Sequence, residues 1–140
     1  MKYCVMSKIF VMDTNALVSA AFIVGSVNDE ALNKILRTGF LAFSEPTFLE
    51  FTEVLYRSKF DKYLSNERRS QIIDRIELNA KRFVHTETIT ACSDPDDDMF
   101  LELAIAANAA CIIIGDKALQ ALHPFRKIPI LSAADFLLQF

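Results

Sequence analysis

Two short apolar runs, each followed within two residues by an aspartate, constrain this sequence more than any other feature. Lys8-Ile9-Phe10-Val11-Met12 halts at Asp13, and Cys111-Ile112-Ile113-Ile114 halts at Gly115-Asp116. Apolar runs of this length with no polar alternation predict strands buried on both faces. Strands of that kind need helices above and below, and the segments between them supply candidates. Ser26 or Asn28 can cap a helix carrying Leu32, Ile35 and Leu36 and stopped by Gly39. Phe40–Phe43 is a second strand, and Ser44 with Pro46 opens a helix bearing Phe48, Leu49, Phe51, Leu55 and Tyr56. Ser65 caps the next, with Ile72, Ile76 and Phe83 at helical spacing, and Val84 starts a short strand. Asp94-Pro95 begins a helix that runs through Phe100, Leu101, Leu103 and Ala104 to about Asn108. Ile128–Leu131 is a last strand, and Ser132 caps a closing helix with Phe136, Leu137 and Leu138. The alternation predicts one doubly wound α/β domain over residues 1–140, its parallel sheet covered on both sides.

Composition agrees. An apolar fraction of 52% in 140 residues excludes a disordered chain, and three Gly with four Pro exclude low-complexity segments. No run approaches the roughly 18–20 apolar residues of a membrane span, and residues 1–12 lack the cleavage site of a signal peptide. Cys4, Cys92 and Cys111, odd in number and scattered, predict reduced thiols in a cytoplasm. The net charge of −3 hides a segregation. Arg57 to Arg82 holds eight basic side chains against four acids, whereas Val84 to Asp116 holds seven acids and no Lys or Arg. Local charge decides what binds where.

In an open parallel sheet, functional groups gather outside the C-terminal strand ends, where strand order reverses. Asp13 and Asp116 sit at such ends. Asp98 lies in the first turn of the helix feeding the last of these strands, and Glu50 near the start of another helix that follows a strand. Four carboxylates from four elements can therefore converge on one rim, where without cations they would repel. Mg²⁺ or Mn²⁺, one ion or two, relieves that repulsion, and such a site polarises a phosphodiester and activates water. Each acid also has a plainer role. Asp13 can be a turn residue, and Asp116 a turn or a cap. Of Asp94, Asp96, Asp97 and Asp98, at least two can serve only the N-cap and helix dipole. Glu50 and Glu53 are one helical turn apart, so either can face the rim.

Other site chemistries fit worse. Asp94-x-Asp96-x-Asp98 resembles the start of a calcium-binding helix–loop–helix, but Met99 replaces the required Gly and Ile105 the bidentate Glu. His85 and His123 lack zinc-ligand spacing, and no glycine-rich phosphate loop or serine-nucleophile motif occurs. A phosphoacceptor receiver domain is also doubly wound. It needs a later-strand Lys, however, and Lys117 directly after Asp116 is in the wrong order.

Taken together, the motifs resemble those of PIN-domain ribonucleases. The run Phe10-Val11-Met12-Asp13-Thr14-Asn15-Ala16-Leu17 is similar to that family's opening strand and turn. Ser44 to Phe60, with Glu50, Glu53 and Arg57-Ser58-Lys59-Phe60, is similar to its second acidic motif. Cys92-Ser93-Asp94-Pro95-Asp96-Asp97-Asp98 and Ile112 to Asp116 are similar to the third and fourth. The match spans nearly the whole chain and resembles most the toxin components of prokaryotic toxin–antitoxin systems.

The resemblance implies a Rossmann-like three-layer α/β/α sandwich with a central, mainly parallel sheet. It implies Mg²⁺- or Mn²⁺-dependent cleavage of RNA in the cytoplasm, a small antitoxin as partner, and a homodimer or higher homo-oligomer. Carried over by position, the metal-binding and catalytic acids are Asp13, Glu50, Asp98 and Asp116. Asn15 orients Asp13, and Glu53, Asp94 and Asp97 are neighbours or alternates. The basic segment, through Arg57, Lys59, Lys62, Arg68 and Arg69, is expected to hold the RNA backbone. One departure stands out: Ile114 occupies a position where the family often has Thr or Ser. It favours an alternative, a catalytically degenerate RNA- or protein-binding module on the same fold.

Overall fold

Val11 has neighbours on every side because the strand carrying it lies in the middle of a sheet. The computed structural model of the chain describes residues 8–115 and 117–140, so the expectations for Cys4 and Asp116 lie outside the described residues. Strand β1 (Lys8–Met12) pairs in parallel with β2 (Gly39–Phe43) on one side and β4 (Cys111–Ile114) on the other. Strand β3 (Ala80–Arg82) extends the sheet beyond β2, and β5 (Ile130–Ser132) extends it beyond β4. The order is therefore β3-β2-β1-β4-β5, with every pairing parallel.

Among the described residues six α-helices cover it: α1 (Thr14–Phe22), α2 (Val27–Thr38), α3 (Glu45–Leu55), α4 (Asn66–Leu78), α5 (Asp98–Ala107) and α6 (Ala133–Gln139). Alternate residues of each strand serve opposite faces. Phe10, Met12, Leu41, Phe43, Cys111 and Ile113 join one core cluster with α1, α2, α3, α4 and α6. Val11, Ala42, Ile112, Ile114 and Ile130 join the other, with α5 and the flanking loops. Full burial of each such side chain contributes on the order of 1.5–3 kcal/mol, which is why both faces must be covered. The result is the three-layer α/β/α sandwich. Phe43 and Phe51 are core residues, with Phe48 packed edge-on to Phe43 at 5.2 Å.

The serine caps fall where the sequence puts them. Ser26, Ser44, Ser65 and Ser132 accept hydrogen bonds from the backbone N–H of Asp29, Thr47, Arg68 and Asp135. Three boundaries differ. The short strand expected at Val84 is Ala80–Arg82 instead, and Val84 is 83% exposed. As an edge strand β3 is charged, with Lys81 over the Phe40 ring at 4.1 Å, a composition that discourages further pairing. Asp94-Pro95 opens a 3-10 turn (Pro95–Asp97), and the α-helix begins only at Asp98. Finally, β5 starts at Ile130 rather than Ile128. Because the chain leaves β1 for β2 on one side and returns to β4 on the other, the strand order reverses beside Asp13.

Candidate active site

Asp13 is extended backbone (φ −71°, ψ 166°) at the end of β1 and is the N-cap of α1. Its N–H donates to Ile113 O at 3.0 Å, carrying the β1–β4 ladder one residue further. Its Oδ1 accepts from Ala16 N at 2.8 Å and from Gly115 N at 2.9 Å. One buried carboxylate thus joins the start of α1 to the end of β4. Gly115 is needed for this approach, since a Cβ there would stand 2.6 Å from Ala16 N. Next in the chain, the Thr14 hydroxyl donates to Glu50 Oε1, so α3 is tied to the same corner. No motif singles out Thr14; its role depends on a contact 36 residues away.

A pocket of about 230 Å³ opens over this corner, and its acids are Asp13, Glu50, Asp94, Asp96 and Asp97. Thr14, Asn15, Val54, Arg57, Phe100 and Leu119 complete the described lining. Glu50 therefore faces the pocket and Glu53 does not. The Glu53 side chain is 77% exposed and lies 4.0 Å from Arg57. Asp94 Oδ1 accepts from Asp96 N at 3.0 Å, which folds the 3-10 turn and carries Asp96 and Asp97 toward Asp13. Among the described residues no three acids are close enough to enclose a metal ion by themselves.

The structure places Asp98 elsewhere. It is buried outside that pocket, and its Oδ1 accepts from Ala91 N at 3.1 Å and Cys92 N at 2.8 Å. One helical turn on, Glu102 Oε2 accepts from Ile89 N at 2.9 Å. These two carboxylates fasten the segment that leads into the acidic turn to the side of α5. The bond from Cys92 N–H holds the Asp98 carboxyl below its ordinary value, against the opposing effect of burial, with Ala91 N–H assisting. The Cys92 thiol is pushed up to about 12, first by burial and then by Asp98.

The sequence profile of one family, described as PIN domain, matches residues 10–118. The chain belongs to the PIN-domain family. Solved structures agree at the level of fold. VapBC2 from Rickettsia felis, solved bound to a DNA fragment from its promoter, superposes with a TM-score of 0.58 at 13% identity. The match covers 87% of this chain and 96% of that one. PAE2754 from Pyrobaculum aerophilum gives a TM-score of 0.61 at 14% identity, over 94% of this chain and 89% of the other. No curated protein matches the sequence.

The basic segment of this PIN domain divides in two. Arg57 lines the acidic pocket, and Lys59 and Lys62 are exposed. Arg69 is not a surface cation, contrary to the expectation from sequence. It is 2% exposed, and its guanidinium donates to Leu55 O at 2.8 Å, Asp61 Oδ1 at 3.1 Å, Asn66 Oδ1 at 3.2 Å and Arg57 O at 3.3 Å. Burial with four acceptors makes it a clamp on the end of α3, beneath Arg57. Arg68 is half-buried, with Nε donating to Ala21 O at 3.4 Å.

Proposed function

We propose that this PIN domain is a metal-dependent endoribonuclease and the toxin of a toxin–antitoxin pair. The observation that carries this reading is the convergence of Asp13, Glu50, Asp94, Asp96 and Asp97 on one pocket where strand order reverses. Such a set of hard oxygen donors fits Mg²⁺ or Mn²⁺ and no softer metal. We assign the metal-holding positions to Asp13, Glu50 and Asp97, together with Asp116. Asp97 takes the place first given to Asp98, because Asp97 lines the pocket and Asp98 fastens the preceding segment. When bound, the ion would offset the carboxylate charge, polarise the phosphodiester and make water a nucleophile near neutral pH.

The protein's own part is positioning. Gly115 and Ala16 fix the Asp13 carboxylate, Thr14 fixes Glu50, and Arg57, clamped from below by Arg69, offers planar donors to a phosphate. Exposed Lys59 and Lys62 extend that attraction along the strand of RNA. A small antitoxin and self-association are the partners of this reading, supported by the toxin-like motifs and by the fold shared with VapBC2.

Mn²⁺-dependent cleavage of a panel of RNAs tests the reading. Asp13→Asn and Asp97→Asn should abolish cutting while the protein stays folded, and Asp98→Asn should retain part of it. Equal cutting by Asp13→Asn would defeat the proposal. Ile114, buried among Val11, Phe100 and Ile112 with no hydroxyl to offer, favours the degenerate-module alternative. Calorimetry separates the two, since a degenerate site would take up no Mn²⁺.

A further inference from the structure

A second cavity of about 770 Å³ adjoins the acidic pocket and shares Glu50, Arg57 and Asp96 with it. It is a groove between α3 and the start of α5, roofed by residues 88–90. Pro46, Leu49, Ile89, Pro95 and Met99 are its apolar side chains. Leu49 is 58% exposed and so offers an apolar surface to whatever enters the groove. Glu53 stands on the groove with the Thr88 and Thr90 hydroxyls nearby in the lining, while Asp98 and Glu102 have oxygens committed to the backbone of residues 89, 91 and 92. Among the described residues, Arg57 is the only basic residue in either lining, and it belongs to both.

This distribution sorts the parts of a nucleotide. A phosphate is drawn to Arg57, at the junction, and repelled by the groove's own carboxylates, Glu53, Asp98 and Glu102. What can pass beyond the junction is a neutral, flat group with apolar faces and N–H donors at its edge, which describes an unstacked base. Single-stranded RNA is read in this way, with bases splayed out against apolar or guanidinium surfaces and hydrogen-bonded along their edges. A carboxylate accepts from adjacent N–H donors. Guanine presents two, at N1 and N2, whereas uracil presents one N–H flanked by two carbonyls that a carboxylate repels.

We propose that this groove is a nucleobase subsite that takes the base next to the scissile phosphate and favours guanine over uracil, with Glu53 as the acceptor. The proposal rests on the ribonuclease reading above and extends it from chemistry to sequence preference.

The test uses the full chain with Mn²⁺ and a pool of short single-stranded RNAs of random sequence, reading base frequencies on each side of the cut. Guanosine should exceed uridine about tenfold at one flanking position, the scale of one bidentate pair. Glu53→Gln, which replaces one acceptor by a donor, should lose that excess, and Leu49→Ala should weaken it. A second readout needs no cleavage. With Mg²⁺ present, guanosine 5′-monophosphate should shift the methyl resonances of Leu49, Ile89 and Met99 more than uridine 5′-monophosphate does, and Glu53→Gln should erase the difference. Cutting by the unmodified chain with base frequencies unchanged in Glu53→Gln would overturn the subsite alone. Absence of cutting would overturn the ribonuclease reading, and the subsite with it. Methyl shifts produced by a lysine-rich apolar peptide but by neither nucleotide would give the groove to a protein partner and overturn the proposal.

Discussion

Gly115 donates its backbone N–H to Asp13 Oδ1 at 2.9 Å, joining residues 102 positions apart in sequence. The same oxygen caps α1 through Ala16 N. A residue proposed for metal chemistry is therefore also a structural joint, and its two roles can be separated by substitution.

Asp13→Ala removes both hydrogen bonds. Loss of an N-cap costs about 1 kcal/mol and loss of a buried acceptor about as much again, so stability should fall by about 2 kcal/mol. Asp13→Asn keeps an oxygen acceptor and should lose far less. The shift in urea midpoint at constant slope measures the difference, and both variants should be inactive.

Gly115→Ala should be harmful for steric reasons alone. The added methyl would meet Ala16 N at 2.6 Å and Asn15 C at 2.9 Å, both backbone atoms held by the β1–α1 junction. A loss of about 1–3 kcal/mol is expected, again read from denaturant unfolding. A variant as stable as the parent would show that the junction yields.

Asp98 makes stability depend on acid. Its folded-state pKa lies below the ordinary 3.8, chiefly through the Cys92 N–H bond, so the folded protein holds the ionised form more tightly than the unfolded chain does. The stabilisation is complete well above pH 3.8 and is lost as pH falls through the depressed folded value. Melting temperature followed from pH 6 downward should drop more steeply for the parent than for Asp98→Asn, since the variant lacks that titration. Parallel curves would count against the assignment.

Arg69 and the exposed lysines should fail differently. Arg69→Ala leaves Leu55 O and Arg57 O without their donor and opens a void, a loss of about 3 kcal/mol. Lys59→Ala with Lys62→Ala should leave stability nearly unchanged and weaken RNA binding. It should also reduce the slope of log affinity against log salt by about 1.4, as for two phosphate contacts on a single strand.

The strands and caps were legible because their signals are local. Ile9–Met12 and Cys111–Ile114 are apolar without interruption, and each serine cap precedes a helical pattern. Helix α1 was not, because Thr14–Phe22 is buried on nearly every side and so shows no polar face from which to read a period. Strand β3 was displaced because Ala80-Lys81-Arg82 is an edge made of charged residues, with none of the composition of a buried strand. The different placement of Asp97 and Asp98 depends on a contact outside the helix itself. Neighbouring side chains stand about 100–120° apart in either a 3-10 turn or an α-helix, and the backbone N–H groups of Ala91 and Cys92 take up Asp98 while Asp97 lines the pocket. Sequence carries the acids but not those backbone partners. Arg69 reads as a surface cation for a similar reason, since the carbonyls that enclose it come from the end of α3 and the turn after it.

The order β3-β2-β1-β4-β5 places the chain's first described strand beside one made a hundred residues later. Contacts of such long range form slowly and only after the intervening chain exists. During synthesis, therefore, Asp13 has no Gly115 to meet until β4 has been made. The acidic pocket is likewise incomplete until α5 and β4 have both been made. For a protein whose proposed substrate is RNA, the timing is written into the strand order itself.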